Sequence, residues 1–190
     1  MNTQKIIRCF IALEVPIEVQ AALGDMIGQL KKSGADVKWV DSANIHLTLK
    51  FLGETPEADV LRTGLALNAL KGKFKTIDSG LGGLGAFPSF ERPKVIWSGL
   101  SKGAEGIKEI YREVETLTAD ILDEKKGREF SPHLTLGRVR SNKNVMQLKE
   151  AVRKANIAQK DFKITRLALM KSTLTREGAI YTELNGAELV

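Results

Sequence analysis

Residues 46–49 read His46-Leu47-Thr48-Leu49, and residues 133–136 read His133-Leu134-Thr135-Leu136. The chain has 2 histidines among its 190 residues, and both stand in this phrase. Given one copy, the chance that the other histidine is also followed by Leu-Thr-Leu is roughly 10⁻³ from average residue usage. Because histidine gives or takes a proton near neutral pH, the two copies predict one active site formed by two facing strands.

Alternate residues of a strand point to the same side of a sheet. His46 therefore shares a face with Thr48, and His133 shares a face with Thr135, while the leucines between them are expected to pack against helices. If both sheets turn the polar face inward, the protein has a cleft lined by two imidazoles and two hydroxyls.

Such a cleft suits a phosphodiester. In-line displacement at phosphorus needs a base on the incoming oxygen and an acid on the departing oxygen, and these lie on opposite sides of the phosphorus. Thr48 and Thr135 are expected to donate hydrogen bonds to the non-bridging oxygens or to orient the imidazoles. The near equivalence of the copies leaves open which histidine donates the proton.

A cation near the histidines would hold the phosphate charge, and Lys50 and Arg138 are the candidates. Strict alternation places Lys50 on the His46 face and Arg138 on the leucine face, although Gly137 would permit a bulge that redirects Arg138. Two histidines without cysteine or carboxylate partners do not make a typical zinc set. We therefore expect no metal and no cofactor.

Composition narrows the class of protein. A net charge of +6 favours anionic partners such as RNA, whereas 6% aromatic residues argue against a broad base-stacking platform. No apolar run approaches the ~20 residues of a membrane span, and the N-terminus shows no signal-peptide pattern. The single cysteine, Cys9, is expected to be buried and fits a reducing compartment. We therefore expect a cytoplasmic protein without membrane association.

Apolar periodicity and turn residues predict the order of elements. Helices are expected from Pro16 to Gly34, from Thr55-Pro56 with Thr55 as N-cap, and over 104–122 and 144–155. Strands are expected at 5–14, 37–40, 45–52, 94–99, 133–139, 161–173 and 179–184, with an extended glycine-rich stretch at 73–87. Residues 80–85 match G-x-G-x-x-G, but no helical pattern follows, so strand bulges or close backbone contacts are the better interpretation. Residues 123–128 are expected to form an exposed basic loop that is a candidate RNA contact.

The order of elements repeats after 87 residues, the spacing of the two histidines. Shifting Pro16, Pro56 and Phe74 by this spacing gives 103, 143 and 161, each beside the start of a predicted element. Each half reads strand, helix, strand with histidine, helix, strand. The repeat predicts two related lobes within a single domain of residues 1–190.

Several stretches carry a family resemblance: residues 8–13, Trp39-Val40, 44–53, Phe87-Pro88, 92–97, 130–138, Lys171-Ser172 and 178–181. With the repeated histidine phrase, they resemble the two-histidine phosphoesterases, and within them the RNA 2′,3′-cyclic phosphodiesterases, historically called 2′-5′ RNA ligases. The resemblance covers nearly the whole chain. It implies a bilobed α+β fold with mainly antiparallel sheets, helices outside and a central cleft.

The resemblance also implies an activity, which is opening of a terminal 2′,3′-cyclic phosphate of RNA to leave a 2′-phosphate. His46 would give a proton to the leaving 3′-oxygen, and His133 would take one from water. Thr48, Thr135 and Arg138 would bind the phosphate. The reverse reaction, 2′-5′ joining of RNA ends, is permitted by the same residues with their roles exchanged. The expected protein is a monomer, and tRNA-derived ends are among its candidate substrates.

Two alternatives stay open. The same site would act on a small cyclic nucleotide or a cyclic ADP-ribose phosphate, which comparing kcat/KM on mononucleotides and oligonucleotides would reveal. A non-catalytic RNA-binding module of the same fold would show salt-sensitive binding without any product.

Overall fold

The structure is a computed structural model that describes residues 5–121, 129–157, 159–176 and 178–190. The described residues form nine strands, four α-helices and one short 3₁₀ helix, Ser42–Asn44. The strands are β1 Ile6–Leu13, β2 Val37–Trp39, β3 Leu47–Pro56, β4 Ile77–Phe87, β5 Val95–Lys102, β6 Leu134–Val139, β7 Asp161–Ile164, β8 Arg166–Leu174 and β9 Ala179–Glu188. The helices are α1 Ile17–Lys31, α2 Glu57–Asn68, α3 Ala104–Thr118 and α4 Val145–Lys154.

The strands form two antiparallel sheets. The first sheet has the order β3-β1-β8-β9, and the second has the order β2-β6-β5-β4-β7. Alternate residues of β1, from Ile7 to Leu13, are buried in a core that also takes the apolar side of α1. The apolar side of α3, with Ile107, Ile110 and Val114, is fully buried in the same core. The expected α+β class with antiparallel sheets is confirmed.

The 87-residue repeat is present in the fold. Shifting α1 by 87 residues gives 104–118, which are the bounds of α3, and β1, β3 and α2 shift onto β5, β6 and α4 within two residues at their starts. Shifting β4 gives 164–174, which coincides with β8 and not with β7. The expected match of Phe74 to the strand at Asp161 was therefore wrong by one strand.

The corrected match shows how the two halves are joined. In the first sheet β1 lies between β3 of its own half and β8 of the other half. In the second sheet β5 lies between β6 of its own half and β4 of the other half. Each half thus gives two strands to the opposite sheet, β2 and β4 from the first half and β8 and β9 from the second, which ties the two sheets together through the chain itself.

Two expected elements need correction. The strand expected over 161–173 is two strands in different sheets, because β7 pairs with β4 while β8 pairs with β1, and the chain crosses at Thr165. Thr55 does not cap α2: it lies in β3, and its hydroxyl donates to the carbonyl oxygen of Leu52 at 3.2 Å. Pro56 occupies the N-cap position without a side-chain cap.

Other expectations are confirmed or lie outside the described residues. The glycines of 80–85 belong to β4, whose pairing with β5 shifts register at Gly80/Leu81 and again between Leu81 and Leu84. Strands β8 and β9 pair with each other as an antiparallel hairpin. The basic loop expected at 123–128 lies outside the described residues. Among the helices that are described, none has both the length and the apolarity needed to cross a membrane.

Candidate active site

Both histidines lie one residue before the start of a strand rather than inside the strand. His46 immediately precedes β3, and His133 immediately precedes β6. The leucines that follow, Leu47 and Leu134, are fully buried, as the sequence predicted. The buried leucine is the first residue of each strand, and the histidine before it lies at the end of the strand and is partly exposed.

Each imidazole is oriented by the carbonyl two residues before it. Nδ1 of His46 lies 2.8 Å from the carbonyl oxygen of Asn44, and Nδ1 of His133 lies 2.7 Å from that of Ser131. A carbonyl oxygen only accepts hydrogen bonds, so Nδ1 carries the proton in both rings. In the neutral imidazole this leaves Nε2 as the atom with a free lone pair, and the arrangement is the same in both copies.

The two sites differ at Nε2. The hydroxyl of Thr48 lies 2.9 Å from Nε2 of His46 and donates to it when the ring is neutral. In the described part of the chain, no side chain or backbone group hydrogen-bonds Nε2 of His133. Thr135 is partly exposed and lies opposite Trp97 in the register of β5 and β6.

Aromatic rings hold both imidazoles. Phe10 stacks on His46 with ring centroids 4.6 Å apart, and Tyr181 meets it edge-on at 5.3 Å. Phe87 meets His133 edge-on at 5.0 Å, with Trp97 at 6.2 Å. Sequence reasoning did not select these rings as site residues, although Phe10 and Trp97 are separated by the same 87 residues as the histidines.

Burial sets the proton affinity of both histidines. Loss of solvation lowers the pKa of His46, and the carbonyl of Asn44 opposes this effect. Burial also lowers the pKa of His133, the carbonyl of Ser131 opposes it, and the charge of Arg138 lowers it further. Both rings therefore favour the neutral form more than an exposed histidine does.

A bulge redirects Arg138. Ile96 pairs with Gly137 whereas the next residue, Trp97, pairs with Thr135, so Leu136 is an extra residue in β6. Alternation resumes after the bulge with the opposite phase, and Arg138 takes the Thr135 side. The bulge that the sequence analysis attached to Gly137 is therefore present. A Cβ at Gly137 would lie 2.6 Å from Cγ1 of Val37, so only glycine fits there.

The charge of Arg138 reaches the surroundings of both histidines. It lowers the pKa of His133, and it opposes the rise that burial causes in the pKa of Tyr181, the ring beside His46. Arg8 of β1 acts on Tyr181 in the same direction. Arg138 thus places positive charge near both His133 and Tyr181, and Arg8 adds positive charge near Tyr181. Sequence reasoning missed Arg8, because a lone arginine in a strand carries no signal.

The same bulge in the other copy removes Lys50 from the site. Ile11 pairs with Lys50 whereas Ala12 pairs with Thr48, so Leu49 is the extra residue in β3. Lys50 consequently turns to α3, where its ammonium lies 3.0 Å from the hydroxyl of Thr118 and 3.1 Å from a carboxylate oxygen of Glu115. The expectation that Lys50 faces the histidines was wrong, because alternation was counted through a bulge.

Comparisons with known proteins identify the family of this chain. The family profile of the 2′-5′ RNA ligase superfamily matches residues 16–176. The chain belongs to the 2′-5′ RNA ligase superfamily. Members of this superfamily that resemble it include a protein of Methanocaldococcus jannaschii named RNA 2′,3′-cyclic phosphodiesterase, 34% identical over 92% of this chain and 96% of that protein. A protein of Aeropyrum pernix with the same name is 32% identical over 84% of this chain and 94% of its own length.

Solved structures share the fold of this superfamily member. A protein of Thermus thermophilus matches with a TM-score of 0.78 and 26% identity, covering 96% of this chain and 97% of that one. Escherichia coli LigT complexed with 3′-AMP matches with a TM-score of 0.76 and 22% identity, covering 98% of this chain and 99% of that one. At 22% identity the likeness to LigT concerns the fold.

Gly85 supports the His133 side of the site, which gives a first prediction. A Cβ at Gly85 would lie 2.1 Å from Cζ2 of Trp97, the ring that packs on His133. We expect Gly85→Ala to lower the free energy of unfolding by about 1–3 kcal/mol through overpacking, measured by urea denaturation. Gly83→Ala in the same strand is the control, because among the described residues beyond its two chain neighbours no atom lies within 4 Å of its Cβ position. Equal effects of the two substitutions would contradict the role given to Gly85.

Proposed function

We propose that this superfamily member is an RNA 2′,3′-cyclic phosphodiesterase that opens the terminal cyclic phosphate to a 2′-phosphomonoester. One observation carries the proposal. Two imidazoles related by the internal repeat each have Nδ1 bound to a carbonyl, so that Nε2 is the reactive atom in both. Arg138 adds positive charge near His133 and near Tyr181, the ring beside His46. These are the acid, the base and the cation that displacement at phosphorus requires.

In the proposed reaction His133 is the base and His46 is the acid. The lone pair on Nε2 of His133 takes a proton from water as the water oxygen attacks phosphorus. The bond from phosphorus to the 3′-oxygen breaks, and Nε2–H of protonated His46 gives its proton to that oxygen. The products are a 3′-hydroxyl and a 2′-phosphate. The same sequence with an RNA 5′-hydroxyl in place of water as the nucleophile would join ends through a 2′-5′ bond.

Two differences between the sites support this division of roles. Arg138 lies close enough to His133 to disfavour its protonated form, which keeps a base ready to accept a proton. Thr48 lies at Nε2 of His46, where its oxygen accepts a hydrogen bond once that nitrogen is protonated. The negative charge of the bound phosphodiester then favours protonation of the acid.

Identification of the product tests the activity. A short RNA ending in a 2′,3′-cyclic phosphate is incubated with the protein in the presence of EDTA, and the phosphate isomer is assigned by ³¹P nuclear magnetic resonance. We expect a 2′-phosphate as the product and no dependence on added metal. A 3′-phosphate, or activity that appears only after metal is restored, would contradict the proposed reaction.

The proposal predicts an acidic pH optimum for the free enzyme. The profile of kcat/KM reports the pKa of the base on its rising limb and that of the acid on its falling limb. Burial lowers the pKa of both histidines from their usual value of about 6.5. We expect kcat/KM on a cyclic-phosphate RNA to peak below about pH 6.5 and to fall toward about pH 8. A profile that rises steadily over the same range would contradict the assignment.

The proposal also covers the oligomeric state, the cellular compartment and the RNA substrate. We place a monomer in the cytoplasm acting on RNA ends, with tRNA-derived ends among them. The net charge of +6 and the buried Cys9, whose thiol pKa burial raises, support an RNA partner and a reducing compartment. Sedimentation equilibrium tests the monomer, and a stable dimer would overturn that part alone.

A further inference from the structure

A pocket of about 260 Å³ opens beside His46, and the phosphate chemistry proposed above does not use most of it. Strand β1, the segment before α1, α1 itself, the segment before β3, and strands β8 and β9 all contribute to the lining. The lining residues are Ala12, Glu14, Val15, Gln20, Ala43, Asn44, Ile45, His46, Met170 and Tyr181. The volume lies just below that of drug-sized ligand sites, so it suits one flat ring rather than a nucleotide chain.

The pocket continues the side of the first sheet that holds His46. Phe10, which stacks on His46, and Ala12 and Glu14 follow one another at the spacing of residues that share a strand face. Met170 pairs with Phe10 in the neighbouring strand and lines the same pocket. A ring in this pocket is therefore adjacent to a phosphate at His46, and Met170 and Tyr181 give it apolar contact.

Three polar side chains of the pocket, Glu14, Gln20 and Asn44, present acceptor oxygens. Gln20 donates its amide hydrogens to the carbonyl oxygens of Ala43 and Ile45, at 3.3 and 3.1 Å. Asn44 donates its amide hydrogen to the carbonyl oxygen of Ala179 at 2.8 Å. The carboxylate of Glu14 is half-buried and has no hydrogen-bond partner or ion pair among the residues that the structure describes. These side chains therefore leave oxygens for a ligand that brings N–H donors.

The charged side chains also differ between the phosphate end of the site and the pocket end. Arg138 and Arg8 give the phosphate end of the site positive charge. At the pocket end, burial and Glu183 raise the pKa of Glu14 while Arg166 opposes them, and Arg166 itself is bound by Glu183 and Glu188. A ligand that matches both ends carries an anionic group at one side and a donor-rich ring at the other.

We propose that this pocket binds the nucleobase of the nucleotide that carries the cyclic phosphate, and that Glu14 selects guanine there. The proposal rests on the proposed function. Guanine offers N1–H and the exocyclic amine side by side, which a carboxylate accepts as a bidentate pair. Uracil offers one N–H between two carbonyl oxygens, and these repel a carboxylate. Glu14 is thus a specificity-determining residue.

Kinetics on four otherwise identical RNAs that end in cyclic phosphates of guanosine, adenosine, cytidine and uridine test the proposal. A bidentate base contact discriminates by about 1–3 kcal/mol, so we expect kcat/KM for the guanosine end to exceed that for the uridine end by about 5- to 150-fold. In Glu14→Gln this ratio should fall by about tenfold or more, mostly through the guanosine substrate. Glu188→Gln, which removes a nearby carboxylate outside the pocket, should keep the ratio.

Binding separates failure of this inference from failure of the proposed function. Calorimetric titration with guanosine 2′-monophosphate and uridine 2′-monophosphate needs no turnover, and we expect the guanosine compound to bind more tightly to the wild type and to lose that advantage in Glu14→Gln. Equal binding of both compounds, or an equal loss in Glu188→Gln, overturns the base pocket. Guanosine-selective binding without opening of any cyclic phosphate overturns the proposed function and leaves the pocket supported.

Discussion

Replacing His46 or His133 with alanine is expected to lower kcat/KM on a cyclic-phosphate RNA end by about 10²–10⁴. Each substitution removes the Nε2 atom that moves a proton in the proposed reaction, while the neighbouring leucine that anchors the strand stays in place. Steady-state kinetics with the RNA of the product assay measure the loss.

The variant that carries both His46→Ala and His133→Ala tests whether the two histidines act together. Because the acid and the base act in one displacement, removing both should cost far less than the product of the two single losses. Circular dichroism and urea denaturation check that each variant folds, since His46 packs between Phe10 and Tyr181. Near-normal turnover by either folded single variant would show that the imidazoles do not carry the chemistry.

The second large effect is expected at Arg138. The charge of its guanidinium acts on His133 and on Tyr181 beside His46, and in the proposed reaction it stabilises the charge of the phosphate, so Arg138→Ala should lower kcat by about 10²–10³. Arg138→Lys should recover part of the loss, because an ammonium keeps the charge without the planar guanidinium.

Arg140→Ala is the matched control for Arg138→Ala. Arg140 is also an exposed arginine near the end of β6, and it lies just outside that strand. We expect its removal to change kcat by less than about threefold and to leave the pH profile in place. In Arg138→Ala the rising limb of the kcat/KM profile should move to higher pH, because Arg138 lowers the pKa of His133. Similar losses in both variants, or an unmoved limb in Arg138→Ala, would mean that Arg138 contributes only general surface charge.

The sequence was sufficient for the buried leucines and the α+β class, because each depends on local periodicity and on a repeat that can be counted. The pairing of the two histidines in one active site stays a prediction. The sequence was insufficient to predict on which side of the sheet the side chains after the bulges lie. The extra residues Leu49 and Leu136 are set by pairing with β1 and β5, which alternation within one strand does not reveal. Because the bulges could not be located from the sequence, the side predicted for Lys50 was wrong. For the same reason, the side predicted for Arg138 depended on whether Gly137 allowed a bulge.

The other differences between the predicted and the observed elements arise from which strands pair across the two halves of the chain. The match of β4 to β8, and the crossing of the chain between sheets at Thr165, depend on which strands pair across the two halves. Arg8, Phe87 and Tyr181 join the site for a related reason, since Phe87 and Tyr181 lie far along the chain from the histidines that they contact, and Arg8 lies far from Tyr181, whose pKa it lowers. The assignment of residues 1–190 to a single domain stays a prediction.

The division of labour between the two histidines is the central claim, and a sulfur substitution tests it most directly. The substrate is an RNA end whose cyclic phosphate carries sulfur in place of the bridging 3′-oxygen. A thiolate leaves without a proton, because thiols have a pKa of about 8.5. We predict that His46→Ala turns over this substrate within about tenfold of the wild type, while His133→Ala keeps its full loss of about 10²–10⁴. Equal losses in the two variants on the sulfur substrate, or rescue of His133→Ala alone, would contradict the account.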